Sequence, residues 1–486
     1  MRRAALTAAT AVALVGPTAL AFAAGGYNDR PRLIAGIVVW SVLAVAVLAG
    51  ARPLPRRRPG RMALAGLALL AAWTGLSLAW APLAGPAFHD AQRVVVYLGA
   101  LAAAAALLYP RAAARAAEPV LAAGTVIVIG YGLSERLLPG AVHLVRTFSA
   151  AGRLDQPLGY WNAMGALGAL GLVLCARVAG DRTRPDALRI AAAGAAPVLG
   201  MGIYLSFSRG ALAALAAGLV VLTVLAPTWP QLRSTVVAVA GGVVAAFTAS
   251  RFDGVQSLAG SLAHRERQGA IALVILVVLV AVAAGFQAWT SRAERAGRLR
   301  AGAIPLPRRT PAIAAALVVL IGVGVAFAAA RENRSGGTPP RGANAARLGS
   351  LQSHRYEYWK VAVRTFAHHP VIGVGSSGFA IEWLRHRPFR EPAQDAHSLY
   401  LETGAELGLV GLAALALMLV GVALAARDAW RRDPVLAAGA CAALTAWALH
   451  AGLDWDWEMP GLTLVAIVLA GLLIAAADDG DNERPS

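Results

Sequence analysis

The chain has only two cysteines in 486 residues, Cys175 and Cys441, and both fall inside apolar runs. That leaves no material for a disulfide framework and no thiolate spacing for a metal. Charge is scarce as well: 14% of residues are charged and 58% hydrophobic, with a mean hydropathy of +0.60. A soluble multidomain protein is excluded by that balance. Lysine occurs once, at Lys360, so nearly all of the 44 basic residues are arginine. Long polar stretches are absent but for one, Arg331 to Tyr400, and no internal repeat is visible.

What the chain does have is apolar runs of about 17 to 23 residues, long enough to cross a roughly 30 Å hydrocarbon layer as helices. About fourteen recur, near 4–24, 33–50, 62–80, 94–109, 119–135, 161–179, 188–207, 210–226, 234–250, 269–290, 312–330, 404–426, 434–450 and 461–477. The fold class predicted is all-α: a polytopic integral membrane protein of 12–14 transmembrane helices interrupted by one long extracytoplasmic loop. Its parts are an N-terminal bundle (1–330), a loop (331–403) with an amphipathic helix at 348–366, C-terminal helices (404–477) and a cytoplasmic tail (478–486). The first run, Arg2-Arg3 leading to Ala21-Phe22-Ala23, has the pattern of a signal peptide. Thirteen further runs follow, and a retained anchor is the expectation.

Short translocated loops carry few basic residues. With a cytoplasmic N-terminus, the inside segments hold 23 Lys+Arg, the short outside loops 10 and the exempt long loop another 10. This places both termini in the cytoplasm, at a cell membrane, and the long loop outside. The net charge of +18 is explained by cytoplasmic turns such as Arg56-Arg57-Arg58, so the expected partner for it is anionic membrane lipid and not nucleic acid.

Within the loop, Arg331 to Ala343 reads as a flexible linker from its Gly, Pro and charge content. Leu348, Leu351, Trp359, Ala362 and Phe366 then fall within about 80° of a helical wheel, with Arg355 in the middle of the stripe. A guanidinium on a buried face needs an anion. That anion is either a ligand or a structural partner. Arg209, in Ser206-Phe207-Ser208-Arg209-Gly210, is the only charge between Arg189 and Arg233 and stands where two runs meet almost without a loop; ionisable residues so placed are functional candidates by default, an interfacial anchor being the alternative.

Five of the nine histidines lie in the long loop. His368 and His369 are adjacent and cannot serve one site from a helix, and no carboxylate stands at ligand spacing, so neither a metal nor a cofactor is expected. Gly373-Val374-Gly375-Ser376-Ser377-Gly378 fits a dinucleotide fingerprint, with Asp395 near the distance of the ribose-binding acid. It has no full strand before it and no parallel sheet after it, and a tight glycine turn is the better reading.

SFSRG before an apolar run, HRYEYWKVAVRTFAHHPVIGVGSSGF, and DAHSLYLETGAELGLVGL, in that order over Ser206–Leu412, resemble the O-antigen ligase and polysaccharide polymerase superfamily of membrane glycosyltransferases. Arg153 with Gly159-Tyr160-Trp161-Asn162, and His450-Ala451-Gly452-Leu453-Asp454-Trp455-Asp456, agree more loosely; Ser398 stands where the family usually has an amide. The resemblance implies transfer of glycan from a polyprenyl-diphosphate carrier to a glycan, lipid or protein acceptor on the outer side, with no nucleotide sugar and no catalytic metal. By position, Arg209 and Arg355 would bind the diphosphate and His397 would be catalytic, with Arg153, Asn162, Asp395 and Asp454 as supporting candidates.

Residue chemistry agrees. A diphosphate leaves readily, so the protein mainly holds its charge and positions the acceptor. Arginine suits the first task and a near-neutral histidine suits the second as general base. Asp395 could orient the ring or cap the following helix. No carboxylate pair of glycosidase type is evident, so displacement would invert the anomeric centre. The rival class is a transporter of a lipid-linked glycan or small solute, which would favour repeated halves and mid-membrane polar groups. A third reading is a noncatalytic assembly scaffold.

Overall fold

The structure, a computed structural model, describes residues 1–307, 342–349 and 353–478, together with Thr310, Ala316, Leu320 and Gly324. Among the described residues the architecture is helical, with a single isolated β-bridge between Thr228 and Ala303. Among the described residues, twelve helices are long and apolar enough to cross a membrane, and each overlaps an expected run. The count of fourteen is not reproduced. The helix over 210–226 is present, but at 17 residues it is shorter than those twelve. Nearly all of the run at 312–330 lies outside the described residues, as do most of the linker after it and the tail from 479.

The chain divides into two compact units. The first comprises Met1–Ala117, Ser353–Ala437 and His450–Ser486. It contains α1 (Arg2–Ala21), α2 (Asp29–Leu48), α3 (Arg58–Leu76) and α4 (Ala84–Leu107). The second comprises Glu118–Gln352 and Ala438–Leu449. Within it lie most of α5 (Arg111–Leu137), then α6 (Trp161–Gly180), α7 (Asp186–Ser206), α8 (Arg209–Leu225), α9 (Trp229–Ser250), α10 (Asp253–Gln256), α11 (Leu262–Arg295) and α12 (Ala346–Gly349). The first unit is completed by α13 (Arg355–His368), α14 (Phe379–His386), α15 (Leu399–Arg432) and α17 (Pro460–Asp478), while α16 (Pro434–Ala451) has residues in both.

In the first unit, α17 is apolar on every side and almost wholly buried, whereas α2 buries only Arg32, Val42, Leu43 and Ala46 and turns the rest outward. A helix apolar all round belongs at the centre of a bundle. Small residues let backbones close up: a Cβ on Gly66 of α3 would lie 2.3 Å from the Met418 nitrogen of α15. Close approach of this kind is a main source of helix packing where both surroundings are apolar. At one end of this unit, the backbone N–H groups of Arg56 and Arg57 donate to the Asp478 carboxylate at 2.6 and 3.0 Å. At the other end, the Tyr27 hydroxyl donates to Gln394, the Ser376 N–H to the Ser77 hydroxyl, and the Tyr97 hydroxyl to the Trp457 carbonyl. The turns that follow α1 and α3 therefore meet the polar segment 369–398, and the turn that follows α16 meets α4.

In the second unit, the basic turns are absorbed by buried acids. Glu118 pairs with Arg184 at 3.2 Å, and Glu294 with Arg189 at 3.1 Å and Arg233 at 2.5 Å. Buried charges are tolerated when paired in this way.

α13 begins at Arg355 with His354 as its N-cap, and Ser353 lies outside it. Its buried line is Tyr358, Val361, Ala362 and Thr365, so the packed face is turned slightly from the expected stripe. Trp359 is half-buried against the same cluster as Phe379, Trp383, Ala396 and Ala405.

Candidate active site

The glycine turn after α13 builds the site's floor. Gly373 and Gly375 have φ of +69° and +90°, which L side chains rarely adopt. This turn inserts against α15, where Gly408 (φ +63°, ψ −159°) breaks the helix. The Leu409 N–H then donates to the Pro370 carbonyl at 2.8 Å, and the Val374 and Gly375 N–H groups donate to the Ala405 and Glu406 carbonyls at 3.1 and 2.8 Å. Backbone groups freed by the break are thus paired again, as an apolar environment requires. The Glu406 carboxyl group accepts from the Ser377 and Phe379 N–H groups at 2.9 and 3.0 Å, so the start of α14 holds one of the protein's own acidic side chains where a dinucleotide fold would hold phosphate.

His397 lies between α14 and α15 in a left-handed backbone conformation, φ +55°. Strain of this kind in a non-glycine residue costs about 1–3 kcal/mol and persists where the surroundings enforce it. The ring packs beside Tyr358 at 5.1 Å and Trp455 at 6.4 Å between centroids. Its Nδ1 lies 3.1 Å from the Asp395 backbone carbonyl. An Nδ1–H donating there leaves Nε2 as the basic nitrogen. The Asp395 carboxylate is not the ring's partner, and the cap of α15 is Ser398, whose hydroxyl accepts from the Leu401 N–H. Burial holds the imidazole below its ordinary 6.5; Arg355 adds to that and Asp454 opposes it.

Arg355 pairs with the carboxylate of Asp454, which has no exposed side-chain surface. Two residues on, Asp456 lies 2.6 Å from His450 Nδ1, both fully buried. The structure therefore gathers Arg355, Asp395, His397 and Asp454 at one end of the first unit.

The remaining sequence candidates belong to the second unit. Phe207 adopts φ +51°, and the Ser208 hydroxyl caps α8 by accepting from the Ala211 N–H at 3.2 Å, which sets Arg209 in the first helical turn. Arg153 lies over the Trp161 ring at 3.5 Å and donates to the Ala150 and Ser149 carbonyls. Asn162 donates to the Tyr160 hydroxyl at 2.7 Å. The Leu154 N–H donates to the Leu205 carbonyl, so Arg153 and the Arg209 turn lie at the same end of that unit.

Several groups escaped sequence reasoning. Arg93 is buried on α4 and pairs with Asp90 at 2.8 Å and Glu458 at 3.3 Å. Arg32 is buried on α2, donating to Asp29 at 2.7 Å and the Tyr27 carbonyl at 3.1 Å. The Nε–H of each has no hydrogen-bond partner, a cost of about 1–3 kcal/mol for a buried donor. Carboxylate oxygens of Asp395, Glu402 and Glu458 lie within 4.8 Å of one another, close enough to hold a cation. Protein groups already serve two of them: Glu402 accepts from the Ala396 N–H at 2.7 Å, and Glu458 faces Arg93. Burial pushes Asp395 up to about 7, with Asp90 and Asp454 adding to the rise and Arg93 opposing it. The available signal was a charge at the end of an apolar run, as Arg32, Arg93 and Glu458 all are.

A polytopic helical membrane protein with a half-buried histidine and arginine beside a buried carboxylate, at one end of a bundle, is the class this geometry defines. Residues 255–416, about a third of the chain, match the family model described as O-antigen ligase. Over that segment the match supports the resemblance to the O-antigen ligase and polysaccharide polymerase superfamily. It includes Arg355, Asp395 and His397, while Arg153, Asn162, Arg209 and Asp454 lie outside it. No curated protein matches the chain.

Proposed function

We propose that the chain is a membrane glycosyltransferase that moves glycan from a polyprenyl-diphosphate carrier to an acceptor hydroxyl on the extracytoplasmic side, without a metal or cofactor. The observation that carries this reading is His397, held in strained backbone inside the matched domain with Nδ1 occupied and Nε2 left basic. In the proposed step Nε2 takes the acceptor hydroxyl proton as its oxygen bonds to the anomeric carbon. The bond from that carbon to the carrier phosphate breaks with inversion, and the diphosphate leaves with its electron pair. Arg355 is assigned to the donor diphosphate, and motif position assigns Arg209 the same ligand; permanent charge and a planar fork suit both to phosphate. Purified full-length protein is expected to transfer glycan from such a donor in the presence of a chelator. Absence of transfer with several donors would move the preference to a transporter.

The pH dependence has a definite sign. A histidine whose pKa lies below 6.5 is neutral at pH 7 and loses its base function as pH falls through that value. Donor kcat/KM should be flat above neutrality and decline with a midpoint below 6.5, and Asp395→Asn should retain that acid limb. A midpoint above 6.5 would remove His397 from the base role.

Sidedness rests on the basic-residue bias. Single cysteines at Ser335 and Ser353 are expected to react with a membrane-impermeant thiol reagent in intact cells. Labelling confined to lysed cells would reverse the orientation.

A further inference from the structure

The first unit contains a polar cavity of about 550 Å³ beside the His397 segment, within the roughly 300–1,000 Å³ of small-ligand sites. Its walls come from the start of α2, the start of α4, α14 with the turn before it, the segment preceding His397, and Glu458. No expected site residue but Asp395 lies on it, and all of its α2 and α4 lining lies outside the matched domain.

We infer that this cavity is the acceptor subsite and that it takes a neutral, hydroxyl-rich saccharide; the inference rests on the transferase reading above. Charge decides the ligand class. The cavity's two arginines, Arg32 and Arg93, are already matched by Asp29, Asp90 and Glu458, and Asp395 adds a fourth acid to the lining. A diphosphate or a uronic acid would meet more carboxylates than free guanidinium charge. Sugar hydroxyls, by contrast, both donate and accept. The carboxylates offer acceptors, and the guanidinium groups of Arg32 and Arg93 on the lining offer donors. Position supplies the link to the chemistry: Tyr27 on the cavity wall packs edge-on against Trp455 at 5.5 Å, and Trp455 packs against His397 at 6.4 Å. Tyr27 also donates to Gln394, another lining residue, at 3.0 Å. The Tyr27 wall is thus linked to the His397 ring through Trp455, and Asp395, two residues before the base, lies on the lining itself.

The test uses purified full-length protein. Saturation-transfer NMR would compare neutral oligosaccharides, a uronic-acid-containing counterpart and inorganic diphosphate as probes, alongside glycan transfer at varied acceptor concentration. Ala380→Trp should fill the cavity, and Asp29→Asn changes its exposed rim without a volume change, so one informative variant remains should the first not fold. Neutral oligosaccharides should bind the wild type, and either variant should raise the acceptor KM by about tenfold or more with little change in kcat. Diphosphate displacing the saccharide, or transfer with unchanged acceptor KM in both variants, would overturn the subsite while leaving the transferase reading intact. Saccharide binding lost in Ala380→Trp, with no transfer by the wild type, would uphold the subsite and overturn the transferase.

Discussion

Replacing His397 with alanine is expected to lower glycan transfer by about 10² to 10⁴-fold, the usual cost of losing a general base, while stability changes by less than about 1 kcal/mol. The two effects separate because the ring's hydrogen bond is local, Nδ1 meeting a carbonyl two residues away, and its aromatic neighbours are Tyr358, tilted against it, and Trp455, edge-on. The backbone is the feature to control for. At φ +55° alanine inherits the strain, whereas asparagine tolerates left-handed backbone well. His397→Asn should therefore melt at or above the wild-type temperature and still fail in transfer. A well-folded His397→Asn protein with near-normal turnover would show that the backbone bend, and not the imidazole, is what the site requires.

Hydropathy made most of the fold legible, because a membrane span is a local property: about twenty apolar residues suffice wherever they occur. Thus α6 and α17 were found as readily as the outward-facing α2, although the first two are buried and the third is not. Arg209–Leu225 sits at the limit of that rule, with its 17 residues bounded by a cap at Ser208 and the turn at Ala226. The glycine turn at 373–378 was legible too, since its backbone angles leave little choice of residue; what the sequence could not show is that Glu406, 27 residues beyond Phe379, closes it.

The site was legible only where its residues stood out singly. His397 and Arg355 were conspicuous against a polar loop and an apolar stripe. Asp454 was linked to Arg355 only by the structure, across 99 residues, and Arg93 meets Glu458 across 365. Nothing local marks such a partner. Glu402 and Glu406 were hidden by the start of an apolar run, because a carboxylate at a span's end reads as ordinary interfacial polarity until the facing Asp395 and Asp90 are known.

Arg355→Ala and Arg209→Ala are each expected to reduce donor kcat/KM by about 10² to 10³-fold, the scale seen when a preorganised donor to developing negative charge is removed. Arg355 needs a compensated design. Its partner Asp454 is fully buried, so alanine alone strands a carboxylate, which costs about 3–5 kcal/mol and would lower activity through folding. In the double variant Arg355→Ala/Asp454→Asn the stranded charge is gone. Stability should recover in it while donor use stays low. Arg355→Lys should keep the ion pair and restore transfer only in part, since a point charge cannot hold phosphate with a planar fork. For Arg209, the Ser208 cap of α8 is untouched by the substitution, so a loss of donor use should come without a matching loss of stability. A stable Arg355→Ala/Asp454→Asn protein that uses donor normally would reduce Arg355 to a structural salt bridge. Normal donor use by Arg209→Ala would in the same way leave that arginine as an anchor at the membrane surface.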